Sequence, residues 1–185
     1  MAKLPNALST LRILLAPVLV VLAWVGARGP FLGCLLVAFA SDALDGRLAR
    51  RYGTASIHGA RLDSAADLLI YTSLPLVAWW LRPDFVRAEA GWLALAIASY
   101  LLPIAVGLAR YRRLTSYHTT AARLSAYLVG FAAVVVFAGG TAIPFRIATL
   151  VVLVAELEEI AITAVLPAWR ADVRSLGHAL ALRRR

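Results

Sequence analysis

The sequence predicts an all-α membrane protein in which six transmembrane helices form one bundle. Of its 185 residues, 62% are hydrophobic, which is more than soluble domains normally contain. The apolar residues fall into six segments, each close to the ~20 residues that a helix needs to cross the hydrocarbon core of a bilayer. Polar and basic residues separate these segments. The pattern leaves no room for a second domain of ordinary size, so we expect residues 1–185 to form a single membrane domain.

The first three segments bring acidic residues to one place. The first, residues 13–25, follows Arg12, and no small-residue cleavage site comes after it, so we interpret it as a retained helix and not as a signal peptide. The second, residues 31–49, and the third, residues 62–81, are apolar at one end and acidic at the other. Their acidic ends flank a predicted turn at residues 53–59.

The last three segments are followed by a basic tail. The fourth, residues 91–109, contains Pro103, which predicts a kink. The fifth covers residues 121–138 and the sixth residues 143–166. In the tail, residues 169–185, apolar side chains recur at helical spacing among basic ones. We therefore expect short amphipathic segments at the chain ends, with the tail helix lying on an anionic membrane surface.

The distribution of basic residues predicts the orientation. With six spans, both termini share one side of the membrane with the connections between spans two and three and between spans four and five. Fifteen of the 19 Lys and Arg residues fall on that side, which the positive-inside rule assigns to the cytoplasm. The net charge of +9 suits anionic lipid headgroups, and we expect no nucleic-acid partner. The four basic residues predicted on the opposite side are Arg28, Arg82, Arg87 and Arg146.

Four of the ten acidic residues lie within one short stretch of the chain. Asp42 and Asp45 are three residues apart, and Asp63 and Asp67 are four apart, so each pair shares one face of its helix. Because a short connection makes the two helices antiparallel neighbours, the four carboxylates converge. Adjacent carboxylates repel one another unless a cation compensates them. A site made only of oxygen ligands suits Mg²⁺, Mn²⁺ or Ca²⁺ and not zinc.

Small residues and an arginine accompany these acids. Gly46, Ala49 and Gly59 leave space for a ligand, and Arg50, one turn beyond Gly46, can hold a phosphate through two N–H groups. The combination predicts a site for a metal-bound phosphate or diphosphate. Two cations could clamp an in-line displacement at phosphorus, and a carboxylate could accept the proton of an attacking alcohol. The alternative is a solvated charged loop, which would not keep acids in helical register.

This stretch resembles the signature of the CDP-alcohol phosphotransferase family, also called the CDP-alcohol phosphatidyltransferase family. The signature reads D-x2-D-G-x2-A-R-x8-G-x3-D-x3-D, and all eight fixed positions match between Asp42 and Asp67. Residues 5–12 also resemble the family's N-terminal motif P-N-x-[IL]-T-x-x-R, with Ser9 where Thr is commoner. Within the family, the chain is similar to bacterial phosphatidylglycerophosphate and phosphatidylinositol phosphate synthases.

The resemblance implies the chemistry of a phospholipid-synthesising enzyme. Two divalent cations, Mg²⁺ or Mn²⁺, hold the diphosphate of a CDP-linked lipid, most often CDP-diacylglycerol. Asp67 is the general base that deprotonates an acceptor hydroxyl, and CMP leaves. The resemblance also implies a homodimer in the bacterial inner (cytoplasmic) membrane, with its active site facing the cytoplasm. The implied metal ligands are Asp42, Asp45, Asp63 and Asp67. The residues implied to surround the cytidine nucleotide are Gly46, Ala49, Arg50 and Gly59.

The motif does not identify the acceptor. It could be a polyol phosphate, such as glycerol 3-phosphate or inositol phosphate, or an amino alcohol or another lipid. Basic residues of the connection between spans four and five could bind an acceptor phosphate, or they could serve only to orient the protein in the membrane. Acids in span six could contact an acceptor amine or hydroxyl, or could pair with arginines of neighbouring helices. The candidate acceptor-binding residues are Arg110, Arg112, Arg113, His118, Arg123, Glu156 and Glu159.

Two functions of a different class compete with this interpretation. A divalent-cation transporter would also carry acids within its membrane helices. Here, however, the four motif acids sit at one end of two helices and do not line a path through the membrane. A non-catalytic membrane scaffold would be expected to have lost part of the motif, and no fixed position is missing.

Overall fold

A computed structural model describes residues 3–52, 57–112, 117, 119–170 and 173–183. Side chains are described in these ranges except at 3–6, 45–52, 57–58, 60–61 and 63–64. The described chain forms α-helices joined by short connections. The helices are α1 (Lys3–Trp24), α2 (Arg28–Tyr52), α3 (Ile57–Leu81), α4 (Pro83–Ala88), α5 (Ala90–Tyr111), α6 (Thr120–Phe137), α7 (Ile143–Val165) and α8 (Leu176–Arg183).

The six long helices coincide with the six predicted apolar segments. Among the described residues, three helices are long and apolar enough to cross a bilayer, and these are Ala7–Trp24, Ala90–Tyr111 and Thr120–Phe137. A shorter apolar helix covers Ala65–Leu81. The all-α membrane class is therefore confirmed, while the number of spans and their orientation stay predictions. Pro103 lies inside α5 without interrupting it, as transmembrane helices commonly tolerate.

Helix α1 packs against both α2 and α3 in the first of two compact units, Met1–Ala88 with Val136–Gly140. Ala16 from α1, Ala38 from α2 and Ile70 from α3 form a buried cluster. Two of these three side chains are small, which lets the helix backbones approach closely. Farther along α2, the ring of Phe31 packs edge-on against Phe137, with 4.8 Å between centroids. The three helices therefore meet along a tight seam.

Helices α5, α7 and α8 belong to the second unit, Glu89–Val135 with Thr141–Arg185. Here α5 packs on α7, and α8 packs on the end of α7. Val173 and Ala179 of the tail are buried against Ile162. The backbone N–H of Leu176, the first residue of α8, donates to Glu158 Oε1 at 3.0 Å. The tail helix is thus shorter than the sequence predicts and rests partly on protein.

Three of the four arginines predicted on the non-cytoplasmic side have internal partners. Arg28 Nη2 donates to the carbonyl oxygen of Leu81 at 3.1 Å, at the end of α3. Arg82 Nη1 donates to the carbonyl oxygen of Val136, near the end of α6. Such contacts satisfy carbonyls that a helix leaves without intrahelical donors. Arg146 pairs with Glu89. These exceptions to the charge asymmetry therefore have structural roles.

The Glu89–Arg146 ion pair predicts acid sensitivity. Glu89 precedes α5, is nearly buried, and accepts hydrogen bonds from Arg146 Nε at 2.8 Å and Nη2 at 2.6 Å. These hydrogen bonds lower the pKa of Glu89 below its ordinary value of 4.5. Because the folded-state pKa is the lower one, the pair contributes stability above pH 4.5 that is lost as the pH falls through the lowered pKa.

We therefore expect Glu89→Gln to lower the Tm of the detergent-solubilised protein at neutral pH and to reduce its further fall on acidification. Thermal unfolding of both proteins, followed from neutral pH to about pH 4, measures this difference. Arg87→Gln is the matched control, because Arg87 is exposed and lies 3.8 Å from an exposed Asp84. Identical acid dependence in Glu89→Gln and the original protein would contradict the prediction.

Candidate active site

Three helices bring three charged side chains to one point. Arg12 lies in α1, Asp42 in α2 and Asp67 in α3. Arg12 Nη1 donates to Asp42 Oδ1 at 2.7 Å and to Asp67 Oδ1 at 2.6 Å. One nitrogen atom thus contacts both carboxylates. Asp42 and Asp67 thus come together, as the sequence predicts, although each lies ten residues from the helix end that faces the connection between α2 and α3.

The seam described above explains why these side chains meet. Ala16 lies one turn beyond Arg12 in α1, and Ala38 lies one turn before Asp42 in α2. The helices approach closely at these alanines, so side chains one turn away on the same faces also come together. The close packing of α1 thereby carries Arg12 to the acids.

The three charged side chains differ in exposure, because the arginine is buried and the two aspartates are partly exposed. The Arg12 side chain is 1% exposed, whereas Asp42 and Asp67 are 34% and 40% exposed. Burying a guanidinium is costly unless carboxylates pair with it. Charge-assisted hydrogen bonds of this length are among the stronger polar contacts in proteins. Arg12 therefore compensates part of the negative charge of the two acids, and both carboxylates remain partly exposed.

The other two motif acids lie on the same two helices. Asp45 follows Asp42 by three residues in α2, and Asp63 precedes Asp67 by four in α3. Their side chains lie outside the described ones. The described side chains contain no cluster of three or more His, Cys, Asp or Glu residues. Of the predicted nucleotide-binding residues, Gly59 lies half-buried in α3. The remaining ones are on α2, also outside the described side chains, and they are Gly46, Ala49 and Arg50.

The donor chemistry at this point fits a divalent cation. Asp42 and Asp67 already share one positively charged partner, and their oxygens are the hard ligands that Mg²⁺ and Mn²⁺ prefer. Asp45 and Asp63 are each one turn away on the same helices and would add to this set. The residues present are therefore suited to hold the cations that the motif implies.

Several predicted acceptor-binding residues surround the connection between α5 and α6. Arg110 Nη2 donates to the carbonyl oxygens of Ala164 and Leu166 at 3.4 and 3.3 Å, so it contacts the end of α7. Arg112 ends α5 in the left-handed conformation, with φ of 53°, and is exposed. Arg123 is exposed on α6. The two remaining candidates, Arg113 and His118, lie outside the described residues.

Tyr117 is a buried anchor of this connection that the sequence did not single out. Its hydroxyl accepts a hydrogen bond from Thr163 Oγ1 at 3.1 Å, and burial raises the pKa of Tyr117 above its ordinary value. The Tyr111 hydroxyl donates toward the carbonyl oxygens of Thr163 and Leu166, both at 2.8 Å. Hydrogen bonds of two tyrosines therefore hold the connection against the end of α7.

The acids of α7 divide into two kinds. Glu158 accepts the N–H of Leu176 and so has a structural role at the start of α8. Glu156 and Glu159 are half-buried and share a helix face. In the described part of the chain, neither forms an ion pair with an arginine. The pairing that the sequence offered as one explanation of these acids is thus not seen among the described residues.

Arg12 is the main member of the site that sequence patterns did not identify. In the sequence, Arg12 is one of the basic residues that predict the cytoplasmic side, and it is the last residue of the N-terminal motif. Its partners lie 30 and 55 positions away in the chain, a separation that periodicity does not reveal. The available signal was an arginine placed where an apolar helix begins, within a motif that accompanies the acidic one.

The family model for CDP-alcohol phosphatidyltransferase matches residues 2–168, which include α1 to α7. The chain belongs to the CDP-alcohol phosphatidyltransferase family. Comparison with curated proteins and with solved structures found no match. Membership makes the protein a membrane transferase of phospholipid synthesis, with a CDP-alcohol donor and a hydroxyl acceptor. The family generally depends on divalent cations, in agreement with the ligand chemistry of Asp42 and Asp67.

Proposed function

We propose that this enzyme transfers the phosphatidyl group of CDP-diacylglycerol to the hydroxyl of a polar acceptor and releases CMP. The observation that carries the proposal is the shared contact of Asp42 and Asp67 with Arg12 Nη1. It brings the first and the last acid of the motif, one from α2 and one from α3, to one point. A pair of partly exposed carboxylates suits a cation-bound diphosphate.

The four motif acids are the proposed ligands of two divalent cations. Asp42 and Asp67 are within contact of one common partner, and Asp45 and Asp63 lie one turn from them. When bound, Mg²⁺ or Mn²⁺ would offset the negative charge of the donor diphosphate and of the departing CMP. Because Asp42 and Asp67 lie on helices that both pack against α1, these two ligands rest on a rigid support.

Asp67 is the proposed general base. Its side chain is 40% exposed, so an acceptor hydroxyl can approach it. Asp67 takes the hydroxyl proton while the acceptor oxygen forms a bond to the phosphorus that carries the lipid. The bond from that phosphorus to the bridging oxygen of CMP breaks, and the electron pair leaves with CMP. The proton then passes from Asp67 to water, which returns the site to its starting state.

The cytidine nucleotide is proposed to lie beside α2 and the start of α3. Gly46 and Ala49 of α2 and Gly59 of α3 are small residues, beside which the nucleotide is proposed to approach the helix backbones. Arg50 adjoins Ala49 in sequence and can offer paired N–H groups to a donor phosphate. This assignment rests on the helical positions of these residues and on the match to the motif.

The proposed acceptor is a polyol phosphate, such as glycerol 3-phosphate or inositol phosphate, as in the bacterial synthases that the motif resembles. A phosphate acceptor needs basic residues, and the connection from α5 to α6 supplies them. Since Arg110 contacts the end of α7, the exposed Arg112 is more suitable than Arg110 among the described candidates. Glu156 and Glu159 remain candidates for a hydroxyl or amine contact, because no described arginine pairs with them.

The proposed setting is a homodimer in a bacterial inner membrane, with the active site facing the cytoplasm. Fifteen of 19 basic residues support that orientation. Arg28, Arg82 and Arg146, three of the four exceptions, are used inside the protein. The excess of positive charge also favours association with anionic lipids.

The experiment that tests the function uses purified full-length protein in detergent, CDP-diacylglycerol, Mg²⁺ or Mn²⁺, and a panel of acceptors. We expect CMP release with a polyol phosphate and little with serine, choline or ethanolamine. The same panel on Glu156→Gln and Glu159→Gln proteins tests the role of these acids, since unchanged acceptor KM would exclude them. CMP release only from CDP-choline or another CDP-alcohol would refute the donor assignment. No release from any pair would favour the transporter or the scaffold.

A further inference from the structure

We propose that Arg12 is a positioning residue of the active site that sets the spacing of Asp42 and Asp67 and, through its charge, weakens the binding of divalent cations there. The inference rests on the proposed function, because it treats these two aspartates as metal ligands and Asp67 as the base. It adds a role for a residue of α1, which supplies none of the motif acids.

The geometry supports a positioning role. A single atom, Arg12 Nη1, contacts both carboxylates at 2.7 and 2.6 Å. The distance between the two acids is therefore set by a side chain that is itself 1% exposed and held by the packing of α1. The carboxylates are far more exposed, so Arg12 lies on their protein side. Reaction rates depend steeply on such placement, since displacement of a reacting group by about 1 Å can cost about a hundredfold.

The charge of Arg12 has a second effect. A guanidinium stays protonated at every accessible pH, so the contact always brings a positive charge to two proposed ligand oxygens. A positive charge at hydrogen-bond distance from these oxygens repels an incoming cation, and the repulsion is stronger in a partly buried site than in water. A neutral side chain at position 12 should therefore allow tighter metal binding, while the carboxylates lose the donor that fixes their spacing.

An ordinary structural ion pair would behave differently. If Arg12 only tied α1 to α2 and α3, its loss would lower stability and would loosen the site as a whole. Metal affinity and turnover would then fall together. A positioning cation instead predicts opposite changes, with tighter metal binding and slower turnover in the same variant.

The test compares Arg12→Gln and Arg12→Lys with the original protein in detergent. Binding of Mn²⁺ is measured from the electron paramagnetic resonance signal of the unbound ion, independently of catalysis. We expect Arg12→Gln to lower the Kd for Mn²⁺ by at least about fivefold. We also expect its kcat to fall by about ten- to a hundredfold, as for other residues that support metal ligands. The donor KM should stay within about twofold, because the nucleotide-binding residues are untouched.

Arg12→Lys keeps the charge but lacks the length and planar donors of the guanidinium. We expect its Kd for Mn²⁺ to match the original protein and its kcat to lie between the original and Arg12→Gln. Arg28→Gln is the matched control, because Arg28 belongs to the same unit but donates to the Leu81 carbonyl at the end of α3. It should change neither Kd nor kcat.

Weaker or unchanged Mn²⁺ binding in Arg12→Gln, or turnover equal to that of the original protein, would overturn the inference. If Arg12→Gln does not yield monodisperse protein, Arg12→Lys decides, and either a shift in Mn²⁺ affinity or full turnover overturns the inference. Absence of Mn²⁺ binding in the original protein also overturns it. An original protein that binds Mn²⁺ but releases no CMP refutes the proposed function, while the Mn²⁺ titrations still test Arg12.

Discussion

Asp67→Asn should abolish CMP release while the protein stays folded. The substitution keeps the shape of the side chain and one oxygen that can still accept a hydrogen bond from Arg12. It removes the basic group and one charge of the proposed metal site. General base catalysis contributes about a hundred- to ten-thousandfold to a rate, and the loss of a ligand adds to this. We therefore expect kcat to fall by at least about a thousandfold.

The measurement is CMP release by matched amounts of purified protein, with thermal unfolding as the check on folding. Asp84→Asn provides the control, because Asp84 is an almost fully exposed acid of α4 whose side chain lies 3.8 Å from that of Arg87. It should retain normal turnover. Substantial activity in Asp67→Asn would show that another group accepts the proton.

Removal of divalent cations should have an effect of similar size. After treatment with a chelator, we expect CMP release to stop, and to return on addition of Mg²⁺ or Mn²⁺. Without cations, the negatively charged diphosphate of the donor would lie beside the negatively charged carboxylates of the motif. Like charges repel strongly in a partly buried site. Turnover against added metal, measured from chelated protein, gives the concentration that restores half the activity.

The same treatment should leave the fold largely intact. Arg12 already compensates Asp42 and Asp67, and α1, α2 and α3 pack through an apolar seam. The Tm of the chelated protein should therefore stay close to that of the metal-loaded protein. Persistent CMP release in chelator would refute metal dependence. A collapse of the fold in chelator would show that the cations have a structural role in addition.

The sequence predicted the helices well because membrane crossing requires long apolar segments. It was less accurate at their ends. Helix α2 continues to Tyr52, beyond the predicted end at residue 49, and α3 begins at Ile57, within the turn predicted at residues 53–59. Hydropathy reports where a helix leaves the hydrocarbon core and not where its hydrogen bonding stops. Leu, Ala and Arg are strong helix formers, so the helix continues through the charged residues.

The short helix α4, at Pro83–Ala88, was not predicted either. Proline is well tolerated at the first position of a helix, and Pro83, which follows the predicted third span, begins this helix. Long-range contacts were beyond the reach of the sequence for a different reason. Glu158 holds the N–H of Leu176, 18 positions away, and Arg12 reaches two other helices. Such pairings depend on packing, which periodicity along one helix does not encode.

The order of the helices along the chain has a consequence for biogenesis. Helix α1, which carries Arg12, is synthesised before α2 and α3, which carry its partners. When Asp42 and Asp67 follow, a guanidinium of the same polypeptide is already present to pair with them. The chain itself therefore supplies the positive charge that lets these three helices come together.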